Sequence, residues 1–386
     1  MKPLIGVGLV GYAFMGRAHS QAWRNVTAFF DLPVTPSMAV LAGRSRERAT
    51  AAAAELGWAA VETDWRELVR RDDVQLVDIC TPGDSHAEIA IAALEAGKHV
   101  ICEKPLANTV AEAEAMAAAA SEAAARGVRS MVAFNYRRVP ALALARRFVA
   151  EGRLGEIRHV RAQYLQDWIV DPEFPLVWRL RKEQAGSGAL GDIGAHIVDT
   201  AQFVTGQMLT GVSAITETFV KERPLAEDAD GLSGGSRTGG RGKVTVDDAA
   251  LFIGRFDGGA LGSFEATRFA TGRKNALRLE VNGSLGSLAF DFEAMNELWF
   301  HDETEPDAGF RRILVTEPGH PYLEAWWPPG HGLGYEHTFT HEVRDFLAAV
   351  AAGTDPSPSF QDGLRVQRVL AAVEESAANE SRWTPL

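Results

Sequence analysis

From residue 4 to residue 134 the sequence repeats one pattern, an apolar run followed by a turn and a helical, often alanine-rich stretch. The runs fall at 4–10, 37–42, 74–80, 99–102 and 130–134. They lack polar alternation, as strands covered on both faces do, and helical crossovers between them are what parallel strands require. Gly57 has the place of a left-handed helix cap, while Gly97 and Gly127 stop two further helices. Asp64 with Glu67 has capping-box spacing, and Thr109 caps the helix that follows it. Repeated βα units predict a doubly wound parallel sheet, an N-terminal α/β domain placed at residues 1–138. Such sheets bind ligands at the carboxyl ends of their strands.

Those ends carry the informative residues. The first run feeds Gly11-Tyr12-Ala13-Phe14-Met15-Gly16, a glycine-rich turn into a helix that can seat a pyrophosphate on backbone amides. Gly11, Ala13, Phe14 and Met15 are the candidate cofactor contacts there. Ala13 stands where the dinucleotide fingerprint has its middle glycine, and its methyl is expected to keep the turn while holding the phosphates slightly further off. After the second run, Gly43-Arg44-Ser45 offers no carboxylate for a ribose 2′-hydroxyl, and Arg44 suits either a 2′-phosphate or the adenine face. The expected cofactor is therefore NAD or NADP. Thr81 and Pro82 follow the third run, with His86 placed to cap the next helix. Glu103-Lys104-Pro105 ends the fourth, and the proline keeps Lys104 extended on a stiff turn that can hold an ammonium.

The second half reads differently. Phe134-Asn135-Tyr136 closes the nucleotide domain, and Pro140 opens a helix ending near Gly152. Strands at 157–166, 210–220, 244–256, 260–270, 276–282, 288–292 and 298–301, with turns such as Asp257-Gly258-Gly259, point to an antiparallel sheet. Within this half, residues 186–199 hold the densest chemistry. Gly186, Gly188, Gly191 and Gly194 would each cost a helix interior about 1 kcal/mol, so this helix start looks shaped for close approach of a ligand. Asp192 and His196, four residues apart, would share one helix face roughly 6 Å apart along the axis.

Gln166 and Trp168 at a strand end, and Arg179 beside Trp178, combine hydrogen-bonding groups with aromatic faces, the mixture a pyranose site needs. The tryptophans would serve equally as core. Tyr136 and His337, the latter near the start of a late helix, are further candidate substrate contacts. Residues 221–243 interrupt the strands with Ser233-Gly234-Gly235-Ser236 and Gly239-Gly240 among charges. They read as a long mobile loop, whether an active-site lid, a subunit arm or a surface insertion.

A chain of 386 residues suits two domains. A net charge of −12 argues against nonspecific binding to nucleic acid or to an anionic membrane. No apolar segment reaches the roughly 18 residues of a membrane span, and no signal-peptide run is present. Cys80 and Cys102 sit in strand-end contexts that fit a reducing compartment, so a cytoplasmic location is expected. Histidines, cysteines and carboxylates lack metal-ligand spacing, and no metal is expected.

Gly11 to His19, Asp78-Ile79-Cys80-Thr81-Pro82 with His86, Glu103-Lys104-Pro105, and Gly188 to Asp199 together resemble the glucose–fructose oxidoreductase, inositol dehydrogenase and MocA family of NAD(P)-dependent oxidoreductases. The order and spacing hold over essentially the whole chain, and Glu-Lys-Pro followed by Asp-x-x-x-His is the specific part. The resemblance implies a Rossmann domain followed, at 139–386, by an α+β domain with a large, mostly antiparallel sheet that mediates homodimers or homotetramers. The resemblance also leaves room for C-terminal helices to pack back on the first domain. It also implies Lys104, Asp192 and His196 as the catalytic trio. Within the family, Tyr164-Leu165-Gln166-Asp167-Trp168 and Gly334-Tyr335-Glu336-His337 resemble sugar dehydrogenases of the levoglucosan dehydrogenase kind.

The implied reaction moves a hydride between a secondary alcohol of a sugar, anhydrosugar or cyclic polyol and the nicotinamide. His196 would be the acid/base, Asp192 would orient it or bind a neighbouring hydroxyl, and Lys104 would polarise the reacting oxygen. Two other readings stay open. One is a redox-neutral lyase or hydrolase that oxidises its sugar transiently; the other is a non-catalytic nucleotide-sensing regulator, against which retention of all three residues argues.

Overall fold

In the computed structural model, which describes residues 2–227, 236–307 and 309–386, six strands form one parallel sheet. They are β1 (Leu4–Val10), β2 (Thr35–Ala42), β3 (Ala60–Glu62), β4 (Leu76–Ile79), β5 (His99–Glu103) and β6 (Ser130–Ala133), ordered β3-β2-β1-β4-β5-β6. Val7, Leu9, Val40, Leu41, Leu76, Val77, Val100 and Ile101 are wholly buried, as a sheet covered on both faces demands. The covering helices are α1 (Phe14–Phe29), α2 (Arg46–Leu56), α3 (Trp65–Arg70), α4 (His86–Glu95) and α5 (Val110–Ala124). Their ends follow local chemistry: Ser45 accepts from the Arg48 amide, Gly57 takes φ +88°, and Thr109 with Glu112 closes a full capping box. Asp64 accepts from the Arg66 amide. The strand order reverses between β1 and β4, and their carboxyl ends flank the crevice in which a doubly wound sheet takes its ligand.

The following elements are α6 (Pro140–Ala150), β7 (Ile157–Leu165), α7 (Lys182–Ala185), a single π-helical turn at Leu190–Gly194, α8 (Ala195–Thr205) and β8 (Leu209–Glu217). Next come β9 (Glu222–Glu227), β10 (Ser236–Lys243), β11 (Ala249–Phe256), β12 (Leu261–Thr267), β13 (Ala276–Gly283), β14 (Gly286–Asp291), β15 (Glu297–Asp302) and β16 (Arg311–Leu314). With β17 (Thr384–Pro385), a nine-stranded sheet runs β16-β15-β14-β13-β7-β12-β11-β8-β17. Its neighbours are antiparallel except for the parallel pair β7 and β12. Along β11, Ala250, Phe252 and Phe256 are buried while Leu251, Ile253 and Arg255 are exposed. Helices α6 and α8 cover the buried face.

The mobile loop expected at 221–243 is, where described, a ribbon in which β9 and β10 pair antiparallel. Its residues 228–235, including Ser233, Gly234 and Gly235, lie outside the described residues. The ribbon is fastened by Arg223, wholly buried, which donates to the carbonyls of Ile169 (2.6 Å), Asp171 (2.8 Å) and Phe174 (3.2 Å). The Leu176 amide donates to Pro224, and a small core of Ile169, Leu176, Val177, Leu180, Val244 and Val246 forms with Leu225 packed against it.

Helices α9 (Tyr335–Ala352) and α10 (Phe360–Ala378) complete the chain, and α9 packs on α1. Two compact units result, Met1–Asn135 with Tyr335–Gln367, and Tyr136–Gly334 with Arg368–Leu386. The first unit's leading segment ends at Asn135, and residues 335–367 of the C-terminal segment belong with it. Among the described residues no helix is long and apolar enough to cross a membrane.

Candidate active site

In the first unit the turn after β1 is built for tightness. Gly11 has φ +96°, and a Cβ there would lie 2.8 Å from the Cys80 carbonyl oxygen. A Cβ on Gly16 would lie 2.2 Å from the Gly11 carbonyl, and one on Gly43 would lie 2.0 Å from the Tyr12 ring. Ala13, extended at φ −71°, precedes α1, and it caps the helix with no side-chain hydrogen bond. An uncapped helix start on a positive-φ glycine turn fits a dinucleotide pyrophosphate. Phe14 is 47% exposed and its ring stacks with Tyr335 at 6.3 Å. Arg44 is exposed, and the Ser45 hydroxyl is engaged in capping α2.

Around the ends of β4 and β5, side chains brace the turns. The Ser85 hydroxyl donates to Thr81 Oγ1 (2.7 Å) and to the Pro82 carbonyl (2.9 Å). His86 is buried, with ring nitrogens 2.9 Å from the Thr81 carbonyl and 3.0 Å from that of Pro105. It ties the Thr81 turn to the Lys104 turn. Glu103 is also buried: one carboxylate oxygen lies 2.9 Å from His19 Nε2, and the other accepts from the Lys104 amide at 3.0 Å. His19 Nδ1 meets Asp78 at 2.9 Å, and Trp23 Nε1 donates to Asp78 at 2.7 Å. Burial works most strongly against an imidazolium at His19, yet the Asp78 carboxylate and the neighbouring Cys80 together outweigh it and hold the His19 pKa well above the ordinary value. His19, Asp78 and Cys80 are close enough to share a metal ion. Both ring nitrogens of His19 already face carboxylates, however, and the arrangement is that of a buried ion cluster under the Glu103-Lys104 turn.

In the second unit the glycines of 186–199 have a different visitor from the one expected. A Cβ on Gly188 would lie 1.7 Å from the Asp247 carbonyl oxygen. The Asp247 carboxylate accepts from the Gly188 amide (2.7 Å) and the Leu190 amide (2.8 Å), and its carbonyl accepts from Ala189 (3.1 Å). What approaches closely at Gly188 is the protein's own chain. The regular helix expected through Asp192 is instead the π turn, and His196 sits in the first turn of α8 beyond it. A π turn places an additional residue per turn, so the angular offset between Asp192 and His196 is not that of an α-helix.

His196 is 6% exposed, and its ring stacks on Tyr136 at 4.3 Å with Tyr164 edge-on at 5.9 Å. The two tyrosine hydroxyls are 2.6 Å apart, and Tyr164 donates to Asn275 Oδ1 at 2.6 Å. Gln166 Nε2 donates to the same oxygen at 2.8 Å, and Trp168 Nε1 donates to Gln166 Oε1 at 3.1 Å. Tyr136, Gln166, Trp168 and His196, singled out separately in the sequence, therefore stand on one connected network. Asp192 is partly exposed and pairs with Arg268 at 3.4 Å. Arg179 stacks over Trp178. Asp199 is buried against Arg137, which holds α8 in place.

Lys104 and His337 belong to the first unit, both half-buried, His337 in the first turn of α9 and 3.4 Å from Glu336. Asn275, Arg268 and Asp247 were not anticipated as site residues. The signal for the first two is the polar segment Arg268-Phe269-Ala270-Thr271-Gly272-Arg273-Lys274-Asn275 between apolar runs, which reads as an ordinary turn. Asp247 acts on amides 57 and 59 residues away, and nothing local marks it.

Comparison with known proteins adds independent findings. Residues 5–134 match the oxidoreductase family, NAD-binding Rossmann fold, and residues 142–289 match the GFO/IDH/MocA C-terminal domain. Levoglucosan dehydrogenase of Pseudarthrobacter phenanthrenivorans is 46% identical over 384 residues, 98% of this chain and 97% of that protein. Among solved structures, an oxidoreductase domain protein from Kribbella flavida has a TM-score of 0.95 at 68% identity, covering 100% of this chain and 99% of that one. A levoglucosan dehydrogenase in complex with NADH and levoglucosan has a TM-score of 0.92 at 44% identity, covering 99% of each chain.

Proposed function

The chain belongs to the GFO/IDH/MocA family of NAD-binding oxidoreductases, and from that premise we propose that it oxidises a secondary alcohol of a sugar, with anhydrosugars such as levoglucosan first among the substrates to try. The observation that carries this reading is the network from His196 through Tyr136, Tyr164, Asn275 and Gln166 to Trp168, an imidazole set among hydrogen-bonding groups and aromatic rings. A pyranose presents hydroxyls at its rim and C–H faces, and this lining complements both. Cyclic polyols share that chemistry and complete the class.

NAD would be held by Gly11, Ala13, Phe14 and Met15 at the phosphates, by Gly43 and Arg44 at the adenosine end, and by the Thr81, Pro82 and Glu103-Lys104 turns toward the nicotinamide. When bound it supplies the acceptor for the hydride. His196 takes the hydroxyl proton at Nε2, because Nδ1 is buried within the protein. Tyr136, stacked on the ring, fixes its plane. Asp192 binds a neighbouring hydroxyl or orients the imidazole. Lys104 donates to the reacting oxygen and stabilises negative charge as the proton leaves. His337 and Arg179 contribute further hydroxyl contacts.

The test is a panel of sugars, anhydrosugars and inositols with NAD and NADP, followed by reduced-cofactor absorbance. Turnover of at least one anhydrosugar or sugar is expected, and His196→Ala and Lys104→Ala should each lower kcat by about 100-fold or more while NADH affinity stays within about threefold. Product release without accumulation of reduced cofactor would replace this reading with the redox-neutral one. Wild-type kcat in either variant would remove the roles assigned to these residues.

The reading extends to assembly. Ile215, Leu251, Ile253 and Trp299 are exposed on strands of the nine-stranded sheet, along a trough of about 680 Å3 that also carries Arg161, Glu265 and Arg278. A homodimer or homotetramer joined through this face would cover them. Light scattering should return two or four chains, and a monomer at micromolar concentration would refute it. Cys80 and Cys102, both buried thiols, fit the cytoplasm.

A further inference from the structure

Arg268 follows β12 and is wholly buried, with Arg223 one of the two largest side chains so enclosed among the described residues. Taking a guanidinium out of water costs several kcal/mol, which only well-placed partners offset. Its partners are unusual in kind. Nη1 lies 3.4 Å from Asp192 Oδ2, and Nη2 lies 3.3 Å from the Asp247 carbonyl. The guanidinium carbon stands 5.5 Å from the Trp168 ring centroid, within cation–π range. One rigid fork thus touches the carboxylate of the π turn, the residue that caps the start of that turn, and the aromatic wall that reaches His196 through Gln166 and Asn275. The Asp248 carboxylate and the Arg223 guanidinium also lie close enough to feel its charge.

We propose that Arg268 is a positioning residue for sugar oxidation: it fixes the Asp192 carboxylate and the Trp168 ring at one spacing, while itself remaining out of reach of substrate. This rests on the role given above to Asp192. The fork matters as much as the charge. A lysine ammonium is a single point and cannot span Asp192 and the Asp247 carbonyl as a planar guanidinium does. An interaction that only orients a group acting in the transition state lowers kcat and kcat/KM together and leaves KM for the sugar nearly unchanged.

The experiment uses the full chain with NAD and the best sugar of the panel. Arg268→Gln is expected to lower kcat by about 30-fold with sugar KM within about threefold, and Arg268→Lys by about 10-fold. NADH affinity, read by fluorescence, should stay within about twofold. In an Asp192→Asn background, Arg268→Gln should cost less than about threefold further, because the group it positions is already gone. If Arg268→Gln does not fold, the Lys variant alone and combined with Asp192→Asn carries the same cycle. Full kcat in Arg268→Lys, or losses that multiply independently in the double variant, overturns the inference while leaving the role of Asp192 intact. Wild-type kcat in Asp192→Asn overturns both.

Discussion

The chain has two glycine-rich helix starts, one after β1 and one before α8, and they do opposite things with the same residue. At both, a Cβ would collide with the protein's own carbonyls: Gly11 with Cys80, Gly16 with Gly11, Gly188 with Asp247. The glycines therefore do not distinguish a ligand site from a packing site. The amides do. At α1 no side chain caps the first turn, whereas before α8 the Asp247 carboxylate takes the amides of Gly188 and Leu190. The first start is left for an anion; the second is closed by the chain, and it presents side chains, Asp192 and His196, instead of backbone.

The largest effect should come from Gly188→Ala. The atoms a Cβ there would meet are all backbone atoms of Asp247, and relief requires breaking the hydrogen bonds that Asp247 accepts from the Gly188 and Leu190 amides. We expect a loss of about 3 kcal/mol in stability and no measurable sugar turnover. Thermal unfolding of the variant at the wild-type temperature would show that the second start is looser than its geometry states. Gly11→Ala is the counterpart. At φ +96° an alanine costs about 1–2 kcal/mol and must also shift away from Cys80. Here the damage should fall on the cofactor, with NADH binding weakened by about 10- to 100-fold and sugar KM affected little. If it is the sugar KM that moves, the division of labour between the two starts is wrong.

The two starts also differ in how visible they were. The βα repeat of residues 4–134 shows itself because fully covered strands read as unbroken apolar runs, and β1, β2, β4, β5 and β6 appear within a few residues of their bounds. β3, of three residues, is too short to stand out, and β16, Arg311-Arg312-Ile313-Leu314, is half charged and offers no apolar run. The ribbon β9–β10 carries charges and glycines where a strand signal needs alternation, and it is held by Arg223 reaching carbonyls some 50 residues back. The site before α8 was legible in its residue types and illegible in its shape. Asp192 and His196 announce chemistry, but the π turn and its cap depend on Asp247, and the lining depends on Asn275, both brought in by the sheet.

A smaller effect concerns what lies under the first start. His19 is held between Asp78 and Glu103 with its pKa raised well above 6.5. A raised folded-state value means the cluster contributes fully below the unfolded pKa and loses that contribution as pH rises through the folded one. The stability difference between wild type and His19→Gln should therefore be greatest on the acid side of neutrality and shrink toward alkaline pH. Denaturant titrations at several pH values measure it. A difference that grows with pH would mean the imidazole is neutral and the cluster is not ionic.

The smallest effect, and the finest probe of the comparison, is Ala13→Gly. Ala13 is the cap position of α1, in an extended conformation that alanine adopts without strain. Two terms oppose each other in the free protein. Glycine is the better cap residue than alanine by a few tenths of a kcal/mol or more, and it adds unfolded-state entropy worth about 0.4–1 kcal/mol against folding. Stability should move by less than about 1 kcal/mol in either direction. The bound state has one additional term, the methyl removed from the face that receives the phosphates, so NADH should bind up to about threefold more tightly. A gain of tenfold or more would mean that the Ala13 methyl blocks the amides and that the first start is not, after all, fully open. A loss would mean that the methyl itself packs on the cofactor, which would make side chain, not backbone, the contact at both helix starts.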